Sequence, residues 1–379
     1  MKRTPLALLN LLHERTRLMV AIAGVAFAVM LIFMNLGFQG ALLSTSVTFY
    51  EQLNGDIYLT SPQSLEISTT KAFPRARLYQ VAGIAGVDRV MPLYLEYLLW
   101  RNPETRISRA MFVFGINPQD PVFAMPELQT AATREILERP NTVLIDRLSR
   151  EEFGPQTIGI ETEADRRRVT IGGQYTLGGG FAADGTLIMG DQNFVRFFYP
   201  RPFNQVNLGL IQTAPGADVA AIAATLRQTL PADVRVLTRR EIIQNDLQYW
   251  LQSTAIGFIF TLGVIVSFIV GTVIVYQILY TDIRDHIKEY ATLKAMGYSG
   301  RFLFGVVLQE AVILAVAGYV PGFVVALGLY RLTQAATNLP MVMSPSRLVL
   351  VFVLTVVMCG VSGLISVRRA VTADPAEVF

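Results

Sequence analysis

Four long runs of apolar residues punctuate the chain, at roughly 18 to 38, 254 to 280, 302 to 330 and 348 to 367. Each is long enough for a helix to cross a hydrocarbon core, which takes about 20 residues. The pattern predicts four transmembrane helices. The first run, LMVAIAGVAFAVMLIFMNLGF, exceeds a secretory signal core and precedes no small-residue cleavage site, so it reads as a retained anchor. Between the first and second runs the texture changes. Residues 39 to 253 carry short β-rich segments bounded by turn signals: DIYLTSP (56 to 62), RVMPLYLEYLLW (89 to 100), SRAMFVFGIN (108 to 117) and NTVLID (141 to 146). The predicted fold class is therefore membrane α-helical, with four transmembrane helices and a large mixed α/β domain inserted between helices 1 and 2.

Near the end of that domain VNLGLIQT reads as a strand, ADVAAIAATLRQTL as an amphipathic helix and DVRVLT as a second strand, a compact βαβ unit. The Gly172-Gly173 pair and Gly178 to Gly180 lie in TIGGQYTLGGGFAADG, which reads as turns between strands. A phosphate cradle would instead open a helix. Helical pattern continues past the apolar runs through 35 to 53 and 239 to 253, predicting stalks. As a single helix, 239 to 280 would be about 63 Å long, twice a ~30 Å hydrocarbon core.

Charge fixes an expected orientation. Lys2, Arg3, Arg15 and Arg17 precede the first run; Arg284, Lys288, Lys294 and Arg301 sit in the 281 to 301 loop; Arg368 and Arg369 open the 368 to 379 tail. Short basic flanks stay cytoplasmic while long domains translocate regardless of charge, so both termini and the 281 to 301 loop are expected inside. The 39 to 253 domain and the short 331 to 347 loop are then periplasmic, in a multi-pass protein of a bacterial inner membrane. In residues 1 to 17, PLALLNLLHERTR sets Leu8, Leu9, Leu11 and Leu12 against Asn10, His13, Glu14 and Arg15, suiting a cytoplasmic helix at the bilayer interface.

Composition agrees: of 379 residues, 52% are hydrophobic and only 16% charged, against about 25% charged in soluble domains. The net charge of +3 is too small for a nucleic-acid footprint. Cys359 is the one cysteine, which rules out an intrachain disulfide, and only His13 and His286 are histidines. A thiolate metal site or a Ser-His-Asp arrangement has little to build from. No metal site and no catalytic residue is assigned. Nor is there a Gly-Lys pair, so the G-x-x-x-x-G-K-[ST] phosphate loop is absent from these residues.

Three groups of residues remain as candidate sites. In the loop between the second and third runs, DIRDHIKEYATLKAMG is helix-forming and ends on Gly297, a C-cap candidate, with Ile287, Tyr290, Ala291, Leu293 and Met296 able to form a docking face. Gln309 and Glu310 lie about two turns into the third run, where a carboxylate is costly. Glu310 either takes part in coupling or reaches back to the interface. Gly263, Ser267 and Gly271 recur every four residues along the second run and permit close helix approach, between two copies or within one.

The stretch from Tyr249 to Tyr298 also resembles the DevC-type ABC exporter permeases, within the MacB/FtsX-like permease superfamily. The likeness rests on IGFIF (256 to 260), IVYQILY (274 to 280) and EYATLKAMGY (289 to 298), supported by NLGFQGALL (35 to 43), DPAEVF (374 to 379) and the one-plus-three layout. Ala255 and Lys288 stand where that family often has Pro, and Ser267 lies near where it often has Gly. The resemblance implies the permease subunit of a tripartite exporter of a lipid or glycolipid, with a periplasmic adaptor and a TolC-like outer-membrane channel as partners. It also implies a permease homodimer and a separate ABC ATPase that binds ATP and magnesium, leaving this chain without a cofactor and without enzymatic activity. The 281 to 301 loop would be the coupling helix, a role falling on Glu289, Leu293, Lys294, Met296 and Gly297. FtsX-like relatives that regulate cell-wall hydrolases, and lipoprotein-release permeases, share the layout.

Overall fold

The computed structural model describes residues 15–178, 183–287, 292, 296, 300–337 and 339–372. Most of the predicted interfacial helix (1 to 17), about half of the 281 to 301 loop and DPAEVF lie outside these residues. The chain divides into two compact units. One comprises 1–40, 255–336 and 341–379; the other comprises 41–254 and 337–340.

Among the described residues, four helices are long and apolar enough to cross a membrane: α1 (Arg15–Glu51), α7 (Ala255–Asp285), α8 (Gly300–Thr337) and α9 (Pro345–Thr372). All run beyond the apolar stretches that announce them. Helix α8 continues on both sides of Pro321. Within the bundle, small residues let backbones approach closely. A Cβ at Gly24 would fall 2.6 Å from Ile274 Cγ2 on α7, and one at Gly322 would fall 2.8 Å from Val29 Cβ on α1. Helices α7 and α9 are joined by hydroxyls: Ser362 donates to the Thr272 carbonyl at 2.7 Å, and Ser366 donates to the Tyr276 carbonyl at 3.4 Å.

The second unit is a mixed α/β lobe. Its strands are β1 (Ile57–Thr60), β2 (Phe73–Pro74), β3 (Val87–Arg101), β4 (Ser108–Ile116), β5 (Thr142–Asp146), β6 (Glu161–Ala164), β7 (Arg167–Tyr175), β8 (Thr186–Gly190), β9 (Gln205–Val206), β10 (Leu208–Thr213) and β11 (Arg235–Thr238). Its helices are α2 (Ala76–Ala82), α3 (Ala131–Glu138), α4 (Asp191–Phe197), α5 (Val219–Thr229) and α6 (Arg239–Gln248). Nine strands form one sheet in the order β11-β1-β10-β3-β4-β8-β5-β7-β6. Both faces are covered, so the central strands are buried along their length rather than alternating. Met111 and Val113 of β4 enter one cluster with Leu78, Phe194 and Leu226 from α2, α4 and α5. Phe112, Phe114 and Ile116 enter the other, which also holds Phe49 and Tyr50 from the end of α1 and Ile242 from α6.

The four segments read as strands become β1, β3, β4 and β5. Three other expectations change. The βαβ unit forms from β10, α5 and β11, but its strands are not neighbours: β1 lies between them, antiparallel to both. Gly172 and Gly173 are not turn residues. They lie inside β7, where Gly172 is the extra residue of a bulge against β5, and α3 crosses so close that a Cβ at Gly172 would fall 2.6 Å from Ile136 Cγ2. Only Gly178, with φ of +97°, behaves as a turn glycine, and Gly179 and Gly180 lie outside the described residues. Finally, 239 to 280 is not one rod. After α6 the chain widens into a π-helical turn, Tyr249–Ser253, and Thr254 is extended at φ −109° and ψ 148° before α7 begins. Backbone carbonyls freed by such a break need partners, and the Thr254 hydroxyl supplies one by donating to the Trp250 carbonyl at 2.7 Å.

Candidate functional site

The candidate site begins where α7 runs out into the loop. Apolar residues hold α7 in the bundle as far as Leu279, and then Asp282 (6% exposed) and Ile283 turn inward together. A buried carboxylate requires a partner, and α1 provides one. Arg17 Nη1 lies 3.8 Å from Asp282 Oδ1 and donates to Asp285 Oδ2 at 3.2 Å. His286, one turn on, places Nδ1 3.1 Å from the Asp282 carbonyl and 3.9 Å from its carboxylate. Two acids three residues apart thus sit on one face of α7 and share the guanidinium of α1.

This cluster was not singled out from the sequence, where Arg17 counted only as flanking charge. Its signal is the Asp282 and Asp285 pair inside an otherwise basic flank. Asn35 and Gln39, four residues apart in the first span, were missed likewise. Asn35 packs on Gly263, where a Cβ would fall 2.6 Å from the Asn35 Cγ, and Gln39 donates to Thr261 at 3.4 Å.

Of the predicted docking residues, Ile287 is half-buried and Met296 is 63% exposed. Glu289, Tyr290, Leu293, Lys294 and Gly297 lie outside the described residues, as does Ala291. Gln309 is exposed and Glu310 fully buried on α8, so the two adjacent polar residues face different surroundings. Gly263, Ser267 and Gly271 face other helices of the same chain. A Cβ at Gly271 would lie 2.7 Å from Ala28 Cβ and closer still to the Met358 sulfur, while Ser267 returns its proton to the Gly263 carbonyl at 2.7 Å. Among the described residues, no group of three or more His, Cys, Asp or Glu is placed to hold a metal.

With this layout in place, comparison with known proteins becomes informative. The MacB-like periplasmic core domain matches residues 18–229, more than half the chain, and the FtsX-like permease C-terminal domain matches 258–375. The chain belongs to the MacB/FtsX-like permease superfamily. The first match ends with α5 and the second begins just inside α7, so the MacB-like match takes in α1 and most of the lobe and the FtsX-like match takes in the last three long helices. A curated relative, the macrolide export ATP-binding/permease protein MacB of Agrobacterium fabrum, is 24% identical over 166 residues, 44% of this chain. The chain spans only 25% of that relative's length. Among solved structures, the periplasmic region of MacB from Actinobacillus actinomycetemcomitans aligns with 51% of this chain and 92% of its own, at 9% identity and a TM-score of 0.35. The extracellular domain of the noncanonic ABC-type transporter YknZ from Gram-positive bacteria aligns with 49% of this chain and 100% of its own, at 16% identity and a TM-score of 0.34. With four membrane-length helices, this MacB/FtsX-like permease is a multi-pass membrane protein.

Proposed function

We propose that this chain is the membrane subunit of an ATP-driven exporter that works by mechanotransmission. The observation that carries the reading is the ordered pair of matches, a MacB-like core domain between the first and second spans followed by an FtsX-like permease region. In this reading ATP and magnesium bind a partner ABC ATPase, because no phosphate loop exists in these residues. The 281 to 301 loop receives the ATPase, and the lobe acts on cargo outside the membrane. Two copies of the chain form the working unit, with a periplasmic adaptor and an outer-membrane channel completing a tripartite assembly. The DevC-like stretches favour a lipid or glycolipid cargo.

The shared cluster of Arg17, Asp282 and Asp285 supports the coupling role, since it braces α1 against the point where α7 enters the loop. A direct test is the Leu293→Asp/Met296→Asp double variant, expected to insert and fold normally yet fail to pull down or stimulate the partner ATPase. A well-buried apolar contact is worth about 1 to 3 kcal/mol per side chain, and the new carboxylates add a desolvation cost. Stimulation equal to the parent's would remove the coupling role from this loop.

A further inference from the structure

In the lobe, the last turn of α1 and the middle of α6 meet at a buried polar cavity lined by Tyr50, Ser64, Glu66, Arg235, Asn245 and Asp246. These are the two segments through which the lobe's chain continues to the first span and toward the second. Tyr50 and Asp246 are each 1% exposed, and Glu66 is 3% exposed. The Tyr50 hydroxyl donates to Asp246 Oδ2 at 2.8 Å, and the Ile67 amide donates to the same oxygen at 3.2 Å. Glu66 accepts from the Ser68 amide at 2.8 Å and from the Ser68 hydroxyl.

Two buried carboxylates therefore line one cavity. The charged groups facing it are few: Arg235 from β11, whose Nη2 is directed to Asn245 Oδ1 at 2.9 Å, and Glu66 from the loop after β1. Tyr50 from α1, with Tyr58 of β1 edge-on behind it, and Tyr97 from β3 beside Glu66 and Ser68 are further titratable groups there. Like charges at one buried site repel, so the Glu66 carboxylate favours the protonated form of Asp246. We propose that Tyr50, Asp246 and Glu66 form a proton-dependent clasp, closed while Asp246 is protonated and loosened when it ionises beside Glu66, joining the two chain segments by which the lobe connects to its spans. Burial pushes the Asp246 carboxyl up to about 7, and the neighbouring Glu66 charge adds to the rise against the lowering effect of the Tyr50 hydrogen bond.

The sign follows from linkage. A carboxyl that holds its proton more tightly in the closed state favours closure at low pH and loses that advantage as pH rises toward its closed-state value. The test is amide hydrogen exchange of the full chain in lipid nanodiscs at pH 5, 6, 7 and 8, corrected for intrinsic exchange and read at the peptides covering 44–51, 64–70 and 242–248. The opening constant should rise by nearly tenfold per pH unit up to about pH 7 and level off above it, the limit for one released proton. Asp246→Asn, which keeps an acceptor for Tyr50, should flatten the profile, and Glu66→Gln should make it level off at lower pH. Tyr50→Phe should raise opening at low pH, where the clasp is closed. A wild-type profile flat from pH 5 to 8, or an Asp246→Asn profile that retains the wild-type slope, would overturn the clasp. The wild-type measurement decides the matter even where a variant misfolds.

Discussion

Substituting Ala for Gly271 separates two explanations of the small-residue stripe on α7. The new Cβ would sit 2.7 Å from Ala28 Cβ, and Ala28 is fully buried with no torsion to turn. Methyl groups need nearly 4 Å, so α1 and α7 must part by about 1 Å, or Met358, itself fully buried, must repack as well. Overpacking of this kind costs about 1 to 3 kcal/mol. Helix propensity returns about 1 kcal/mol when Gly becomes Ala in a helix interior, leaving a net loss of about 0 to 2 kcal/mol. Gly328 and Gly360 are the controls, since a Cβ there would meet nothing within 4 Å. Ala at either should leave stability unchanged or slightly improved. Thermal unfolding of each variant in one detergent measures the difference, with light scattering to follow oligomeric state. If Gly271→Ala melted with the parent but dissociated a dimer, the stripe would be an interface between copies and the packing argument would fail.

Two further outcomes rest on hydrogen bonds. Asp146 is fully buried and accepts from the amides of Leu148, Leu177 and Gly178, the last at 2.8 Å. Asp146→Ala orphans all three donors and should cost the lobe about 2 to 4 kcal/mol in urea unfolding, each stranded donor costing about 1 to 3 kcal/mol unless water reaches it. Arg17→Glu sets a third carboxylate beside Asp282 and Asp285 and should lower stability by about 1 to 3 kcal/mol. Adding Asp282→Arg should recover part of the loss, and Arg17→Lys should cost little.

The spans were legible because lipid imposes a simple rule: every residue of a long helix must be tolerably apolar whatever it packs against. Strands β4 and β5 were legible for a related reason, since β4 from Met111 onward and all of β5 are buried on both faces and read as largely continuous apolar runs. What the sequence obscured depends on neighbours distant in the chain. Gly172 and Gly173 look like a turn until Ile136 of α3 is seen lying against them. The insertion of β1 between β10 and β11 is a tertiary choice that no local pattern records. Thr254 carries no breaker signal, having neither Gly nor Pro beside it, yet the helix stops there. The candidate site divides the same way. Gly263, Ser267 and Gly271 were visible as a period of four, whereas Asn35, Ala28 and Met358, which give the stripe its meaning, come from two other helices.

The polar side chains of the spans bear on mechanism through what they bond to. Ser362 and Ser366 of α9 each return a hydrogen bond to their own helix and reach a carbonyl of α7. Thr272 and Ser267 donate to carbonyls one turn back on α7. Hydroxyls used this way hold helices together and are not free to pass a hydrophilic solute. Helix α7 is further tied to α1 at both ends of its apolar stretch, through Asn35 against Gly263 and Arg17 against Asp282 and Asp285. A displacement at the loop following Asp285 must therefore carry α1, α7 and α9 with it or break buried contacts in several places. Packed interiors yield as blocks rather than continuously, so on the proposed reading work delivered at that loop would travel along α7 as motion of the whole helix. The extended residue Thr254 is the point on the chain where that rigid helix begins.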